Sequence, residues 1–334
     1  MLITAVLDPT AYHKNCFSNP GYRDNAEMFL RGIWTNGLLL VDSNGQLSDE
    51  LQSAIETLPT SIGQSIAIWL QELLKNKRKR VIKSRCPKSV HSHQLIFNVA
   101  QATTVDSVIA SASTHKLLSR SCGLVVTILE LSSYLGSSLE RKRFNYEQGL
   151  HRIDALPKSD VDEAFKRTTR FSSRLRFYDK QIGQGKNTSH FRKGISYILD
   201  IWKQSGYFQG LGQFDVEIIT ALKNSEVPKH TDNEAVYIKV VRELLDPLRD
   251  RYPAWNIDLK FKVDPDGIFH RRYLESQAVI LEIDRGFDLF RPGGKLKRNT
   301  LRLEPNAFEH LRECRALQDA EFLADQVGAK EKDN

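Results

Sequence analysis

Cysteine and methionine are scarce in this chain, with four Cys and two Met in 334 residues. Cys16, Cys86, Cys122 and Cys314 lie far apart with no CxxC pair, which excludes a zinc ribbon and a dithiol redox motif. The same spacing argues against a disulfide framework and for free thiols in a reducing compartment. No apolar run approaches the roughly 20 residues that would cross a bilayer. The N-terminus, MLITAVLDPTAY, lacks a basic n-region and meets an acid early, so no signal peptide is expected. Internal repeats and low-complexity tracts are absent as well. These absences together point to a cytoplasmic location and make a membrane partner unlikely.

What is present is ordinary globular composition, 40 % hydrophobic and 27 % charged, at a length that suits two domains. The balance is basic: 48 Lys and Arg against 41 Asp and Glu, a net charge of +7. Cations of this kind favour a polyanion, because Lys and Arg on phosphates release counterions. They are also clustered. KNKRKRVIKSR, residues 75 to 85, carries seven cations in eleven positions, and RPGGKLKRNTLR, residues 291 to 302, carries five in twelve. Nucleic acid, RNA or DNA, is the partner class this pattern favours; solvated loops and helix ends are the plain alternative.

Strand and helix patterns alternate through the first 145 residues. LITAVL and GLLLVD are short apolar strands, and helical spacing runs from Asp24 to Trp34 between them. Ser48 reads as a helix cap with Asp49 and Glu50 in the first turn, where the helix dipole favours acids. SIGQSIAIWLQELLKN is a further helix; a helix is then expected from about Asp106 to Ser119, leading into the strand GLVVTILEL. Such alternation predicts an α/β fold with a mostly parallel sheet covered by helices. Residues 146–170 are strongly charged and read as a connecting helix or hinge. A second α/β pattern fills 171–305, with strands in SRLRFYDKQIG, FDVEIITAL, NIDLKFKVD and AVILEIDRGFDLF and amphipathic helices in FRKGISYILDIWKQ and EAVYIKVVRELLDPLRDRY. Residues 306–334 read as a C-terminal helix and a charged tail. The fold class expected is thus two α/β domains, each a mostly parallel or mixed sheet flanked by helices.

Three acids of the first domain draw attention. Asp8 ends the first strand, Glu50 opens a helix after the second, and Asp106 opens the helix before GLVVTIL. In an open parallel sheet the strand ends and helix starts share one edge, where ligands bind. Carboxylates gathered there repel one another unless a cation neutralises them, and oxygen ligands suit Mg²⁺ or Mn²⁺. Such a metal activates water and polarises a phosphodiester. Read one at a time, Asp8 before Pro9 is a turn former, Glu50 serves the helix dipole and Asp106 caps a helix. His91 and His93 in SVHSHQ alternate as a metal pair would, but a polar loop is the better account of them.

An early strand ending in Asp, a helix opening in DEL, and a later D-x-x-I-x-x-x-A segment before an apolar strand with Thr resemble a PIN-domain nuclease over roughly residues 1 to 135. The resemblance implies a metal-dependent hydrolase of nucleic-acid phosphodiesters, with Asp8, Glu50 and Asp106 as catalytic, metal-binding acids. Where that family has Asn after the first Asp, this chain has Pro9-Thr10. Its fourth acid is missing from the usual place, and Glu130, three residues past Thr127, is the nearest substitute.

The second pattern, from about Leu175 to Leu303, resembles the phospholipase D-like fold, in particular the MIT C-terminal domain. FYDKQIG, VEIIT and FHRRYL followed by IDRGFD carry that resemblance. Catalytic members use two HxK motifs, one His attacking phosphorus and the other protonating the leaving group. This chain offers His270 with Arg272, a cation that forks onto phosphate; the second candidate, His190 in SHFRKG, precedes a helix. The resemblance therefore implies that His270 and Arg272 are a structural or anion-contacting remnant; Lys295, Lys297 and Arg298 of the basic loop are further candidates for nucleic acid or phosphate. A homodimer would pool two copies of His270 and keep catalysis open. Asp284 and Asp288 flank Arg285-Gly286 and are expected to fix that turn by holding the arginine. Tyr178, Tyr273, Phe287 and Phe290 stack bases if exposed, and are core if they alternate along strands.

Two functions follow. In one, a PIN-like site cuts nucleic acid with Mg²⁺ or Mn²⁺ while the second module positions substrate or partner, as in RNA turnover or a bacterial antiviral defence system. In the other, both domains are non-catalytic and the basic loops dock nucleic acid or a protein of a larger complex.

Overall fold

The computed structural model describes all residues except Met1, Pro20, 76–78, 87–91, 121–125, Lys186, 208–213, 223–229, Pro305 and 321–334. The fold is α/β and divides into two compact units, Met1–Gln148 and Gly149–Asn334. No described helix is long and apolar enough to cross a membrane.

The first unit runs β1 Ile3–Leu7, α1 Tyr22–Asn36, β2 Gly37–Val41, α2 Gln46–Glu56, α3 Thr60–Leu74, β3 Val81–Lys83, α4 Ser92–Ala102, β4 Ser107–Ala110, α5 Ala112–Leu118, β5 Thr127–Glu130 and α6 Ser138–Gln148. Its five strands form one parallel sheet in the order β3-β2-β1-β4-β5. Every residue of β1, β2 and β4 is buried. That is why they read as continuous apolar runs: a parallel strand covered on both faces has no polar side to show. The expected helix from Asp106 to Ser119 is wrong in its first half. Ser107, Val108, Ile109 and Ala110 are instead a central strand, and only Ala112–Leu118 is helical. A run so short and apolar fits either period, and only total burial between β1 and β5 settles it. The strand expected at GLVVTILEL is described as β5, while residues 123–125 lie outside the described residues.

The second unit runs α7 Lys158–Thr169, β6 Arg174–Tyr178, α8 Thr188–Ser205, β7 Phe214–Ala221, α9 His230–Val240, α10 Asp246–Arg251, β8 Trp255–Lys262, β9 Tyr273–Glu275, β10 Ile280–Ile283, β11 Leu301–Leu303 and α11 Ala307–Ala316. Its sheet is mixed, in the order β11-β10-β9-β6-β7-β8. β6, β7 and β8 are parallel, and β9, β10 and β11 add on antiparallel. One face packs on α8, whose Trp202 meets Phe214 and Trp255 edge-on at 4.8 and 5.0 Å. The other face carries alternating charge, with Lys260 and Arg176 on Glu217, and Arg176 and Arg315 on Glu275. EAVYIKVVRELLDPLRDRY is not one regular helix: a π-helical turn at Val241–Leu245 separates α9 from α10. Residues 146–170 divide between the two units. α6 ends the first unit, and α7 buries Val161, Ala164 and Phe165, with Phe165 edge-on to Tyr197 of α8 at 5.9 Å. The tail after residue 320 lies outside the described residues.

Candidate functional site

In the first unit the chain winds from β1 outward to β2 and β3, then crosses back to β4 and β5. The crevice of such a sheet opens where the winding reverses, at the carboxyl ends of β1 and β4. Asp8 and Ser111 stand at those two ends. Asp8 is fully buried. Its Oδ1 accepts from the Thr10 amide at 3.0 Å, and its Oδ2 accepts from the Thr10 hydroxyl at 2.6 Å and from the Ser111 amide and hydroxyl, both at 3.0 Å. Pro9-Thr10 explains this arrangement. Proline opens the 3-10 turn Pro9–Tyr12 that Asp8 caps, and threonine brings a hydroxyl onto the carboxylate. Further hydroxyls close over the site: Ser111 Oγ lies 2.7 Å from Thr10 Oγ1, 3.1 Å from Ser113 Oγ and 3.2 Å from Thr114 Oγ1.

Asp106 does not join Asp8. Asp106 precedes β4 and so stands at the amino end of the sheet, the opposite edge. There its Oδ2 accepts from Thr4 N and Oγ1 at 2.8 and 3.1 Å, and Lys142 Nζ approaches Oδ1 at 2.5 Å. Five residue steps at about 3.3 Å put roughly 16 Å of strand between Asp106 and Ser111. A shared metal needs ligands about 2.1 Å from one point. The convergence expected of Asp106 with Asp8 is thereby corrected: a residue before a central strand and a residue after one face opposite edges. Glu50 lies in the second turn of α2, which starts at Gln46, and accepts from Gln46 Nε2 at 2.8 Å. Neither Ser48 nor Glu50 opens that helix. Asp42 caps it instead, buried at the end of β2 and accepting from the Asn44, Gln46 and Leu47 amides at 3.0, 3.1 and 2.8 Å. Glu130 ends β5 and accepts from Ser132 Oγ at 2.6 Å.

Asp106 cannot share a Mg²⁺ or Mn²⁺ ion with Asp8 from the opposite edge of the sheet. Such an ion needs carboxylate oxygens with free lone pairs converging on one point. Here the Asp8 oxygens are occupied by four protein donors. Among the described residues no group of three or more His, Cys, Asp or Glu side chains is placed to hold a metal. His91 lies outside the described residues.

In the second unit the corresponding strand-end carboxylate is Asp179, after β6, which the sequence shows only as the D of FYDKQIG. It is fully buried and accepts from Gln181 N at 2.9 Å and Phe287 N at 3.2 Å. Arg272 Nε stands 4.0 Å away, and Arg272 Nη1 donates to Asp284 O at 2.9 Å. Arg272 is therefore engaged in bracing the IDRGFD turn. The arginine of that turn, Arg285, is not gripped by its flanking acids. Asp284 is exposed, Asp288 takes Lys297, and Asn299 Oδ1 accepts from Arg285 N at 2.9 Å. Lys297, expected on phosphate, is thus paired within the unit. His270 is exposed, with Nδ1 on Ile268 O at 2.8 Å and its ring 5.0 Å from that of His310. His190 stands in the first turn of α8, its Nδ1 3.6 Å from Asp288. Tyr178, Tyr273 and Phe287 are core, and Phe290 packs on Tyr197 at 5.2 Å, so none of the four offers a free stacking face. Lys295 and Arg298 are exposed.

Burial raises the Asp179 carboxyl to about 6, against the lowering effect of its two amide donors and Arg272. A carboxyl that holds its proton more tightly when folded favours folding most below its unfolded value near 4, and that contribution fades as pH rises through about 6. The stability of Asp179→Asn relative to the natural protein is accordingly expected to improve between about pH 4 and pH 7. Urea unfolding of the second unit at several pH values checks this, and a difference that stays flat across that range refutes it.

No family model, curated protein or solved structure matches this chain. The functional reading therefore rests on the residues themselves.

Proposed function

We propose that this protein binds nucleic acid without cutting it, as a two-unit adaptor in a larger assembly. One observation carries the non-cutting half: the crevice carboxylate, Asp8, is buried under four protein hydrogen bonds while Asp106 lies at the far edge of the sheet. A hydrolytic acid must instead present free oxygens to a metal or a water. The second unit agrees with this, since Arg272 and Lys297 are spent on the turn and on Asp288. The net charge of +7, gathered in basic runs, supports a polyanionic partner.

Labelled single-stranded RNA, single-stranded DNA and duplex DNA are each to be incubated with the protein in Mg²⁺, Mn²⁺ and EDTA. Binding without cleavage is expected in all three, unaffected by EDTA. It should weaken with salt by about 0.7 log unit per log unit of salt for each phosphate contacted on a single strand, or about 0.9 on a duplex. Cutting that requires Mn²⁺ or Mg²⁺ and stops in EDTA would overturn the reading in favour of a nuclease. Failure to bind any of the three would overturn it as well.

A further inference from the structure

At the start of the second unit, residues 149 to 153 run antiparallel beside residues 299 to 301. Leu150 and Leu301 exchange backbone hydrogen bonds at 2.8 Å each way, and Ile153 N donates to Asn299 O at 3.0 Å. The approach is close enough to demand glycine at 149. Its φ is +82°, and a Cβ there would lie 2.4 Å from Leu301 O. This zipper places Arg152 beside the basic loop, although 139 positions separate it from Arg291 in the sequence. Both guanidinium groups share one acid, Asp154, each with Nη2 at 3.9 Å from the same oxygen.

Asn299 ties the rest together from a buried position. Its Oδ1 accepts from Arg285 N and Thr300 N, both at 2.9 Å, and its Nδ2 donates to Gly286 O at 3.3 Å. The hairpin above it turns through Gly293 and Gly294, both at positive φ, and is closed by Arg291 N on Lys295 O at 2.8 Å. Arg152, Arg285, Arg291, Lys295 and Arg298 are all exposed. Among the described residues, Arg285, Lys295 and Arg298 make no ion pair, and Asp154 is too few charges to neutralise the other two. The nearby acids are Asp154, exposed Asp284, and Asp288, which Lys297 already holds.

We infer that Arg152, Arg285, Arg291, Lys295 and Arg298 form one cationic shelf that takes the phosphate backbone of a nucleic acid, which rests on the binding function proposed above. Four of the five are arginines, whose forked donors match phosphate oxygens. An anionic membrane would meet the same charge, but the hairpin tip is Pro292, Gly293 and Gly294. Stable binding at a bilayer surface draws on bulky apolar side chains such as Trp, Phe or Leu, and the tip has none. The aromatic next to it, Phe290, is committed to Tyr197. Readout is of backbone charge, so little sequence preference is expected.

The test compares the full chain with Arg152→Glu, Arg298→Glu and their combination, using Lys116→Glu on exposed α5 as a charge-matched control. Binding to labelled single-stranded RNA is followed as salt is raised. Each shelf reversal is expected to weaken binding about tenfold at low salt and to flatten the salt slope, with the control near the natural protein. Arg152→Glu is the decisive variant, because only the fold brings Arg152 to the shelf. RNA binding that survives both reversals would overturn the shelf and leave the binding function standing. A natural protein that binds none of the RNA and DNA probes would overturn both, and one that binds only DNA moves the same comparison to that probe. Flotation with phosphatidylserine vesicles, lost in the double variant, in a protein that ignores RNA would assign the shelf to membranes and also refute the inference.

Discussion

Asp8→Ala is expected to destabilise the first unit by about 2–4 kcal/mol, because four donors lose their acceptor in a site closed to water. Asp8→Asn should cost nearly as much. The amide keeps the shape but turns an NH₂ toward a crevice already full of donors, from Thr10 and Ser111. A two-unit chain does not unfold as one transition, so a local probe is needed. Hydrogen exchange of the β1 and β4 amides serves: a loss of about 2–4 kcal/mol lowers their protection roughly 30- to 900-fold where global opening controls exchange. The opposite result is equally informative. Carboxylates kept for an outside cation repel or strain their surroundings, and neutralising one commonly stabilises the fold. An Asp8→Asn protein as stable as the natural one would mean that the charge is held for a ligand, and the adaptor reading would fail at its foundation.

Gly286→Ala should damage the second unit severely. The residue sits at φ +71°, and an added Cβ would lie 2.0 Å from Asp179 Oδ2. Left-handed backbone costs a non-glycine residue about 1–2 kcal/mol by itself. The clash must also push Asp179 off Phe287 N, exposing two buried polar groups to each other's loss at about 1–3 kcal/mol. A total of about 2–5 kcal/mol is expected, read as a fall in the urea midpoint of the second unit. The two contributions separate in a double-mutant cycle. Asp179→Ser removes the atom that is struck, so Gly286→Ala should cost visibly less in that background. Equal costs in both backgrounds would show that the turn, not the contact with Asp179, sets the requirement for glycine.

How much of this was legible in the sequence varies by element. The long amphipathic segments, now α1, α3 and α8, and the alternating strands, now β6, β7 and β8, stand out by period alone. β4 did not. Four small or β-branched residues with no polar alternation carry no period, and the strand exists because β1 and β5 enclose it. That single misreading reversed the polarity of Asp106 and placed it at one edge with Asp8. Asp42, a further acid at a strand end, is legible in the sequence, because D-S-N-G-Q is a recognisable capping turn.

The basic loop shows the other limit. Lys295 and Arg298 were evident from charge density, and they are exposed. Lys297 belongs to the same run yet is paired with Asp288, a contact that only the fold sets. Arg152 carries no mark in the sequence at all.

By itself the sequence determined the α/β class, the two-part organisation and the basic surplus. These depend on composition and on periods of 2 and 3.6 residues, which are local. The tertiary structure decided which carboxylates share an edge, whether Asp8 is free or satisfied, and which cations stand together. Each of those depends on strand order and register, so residues more than a hundred positions apart are brought within one hydrogen bond.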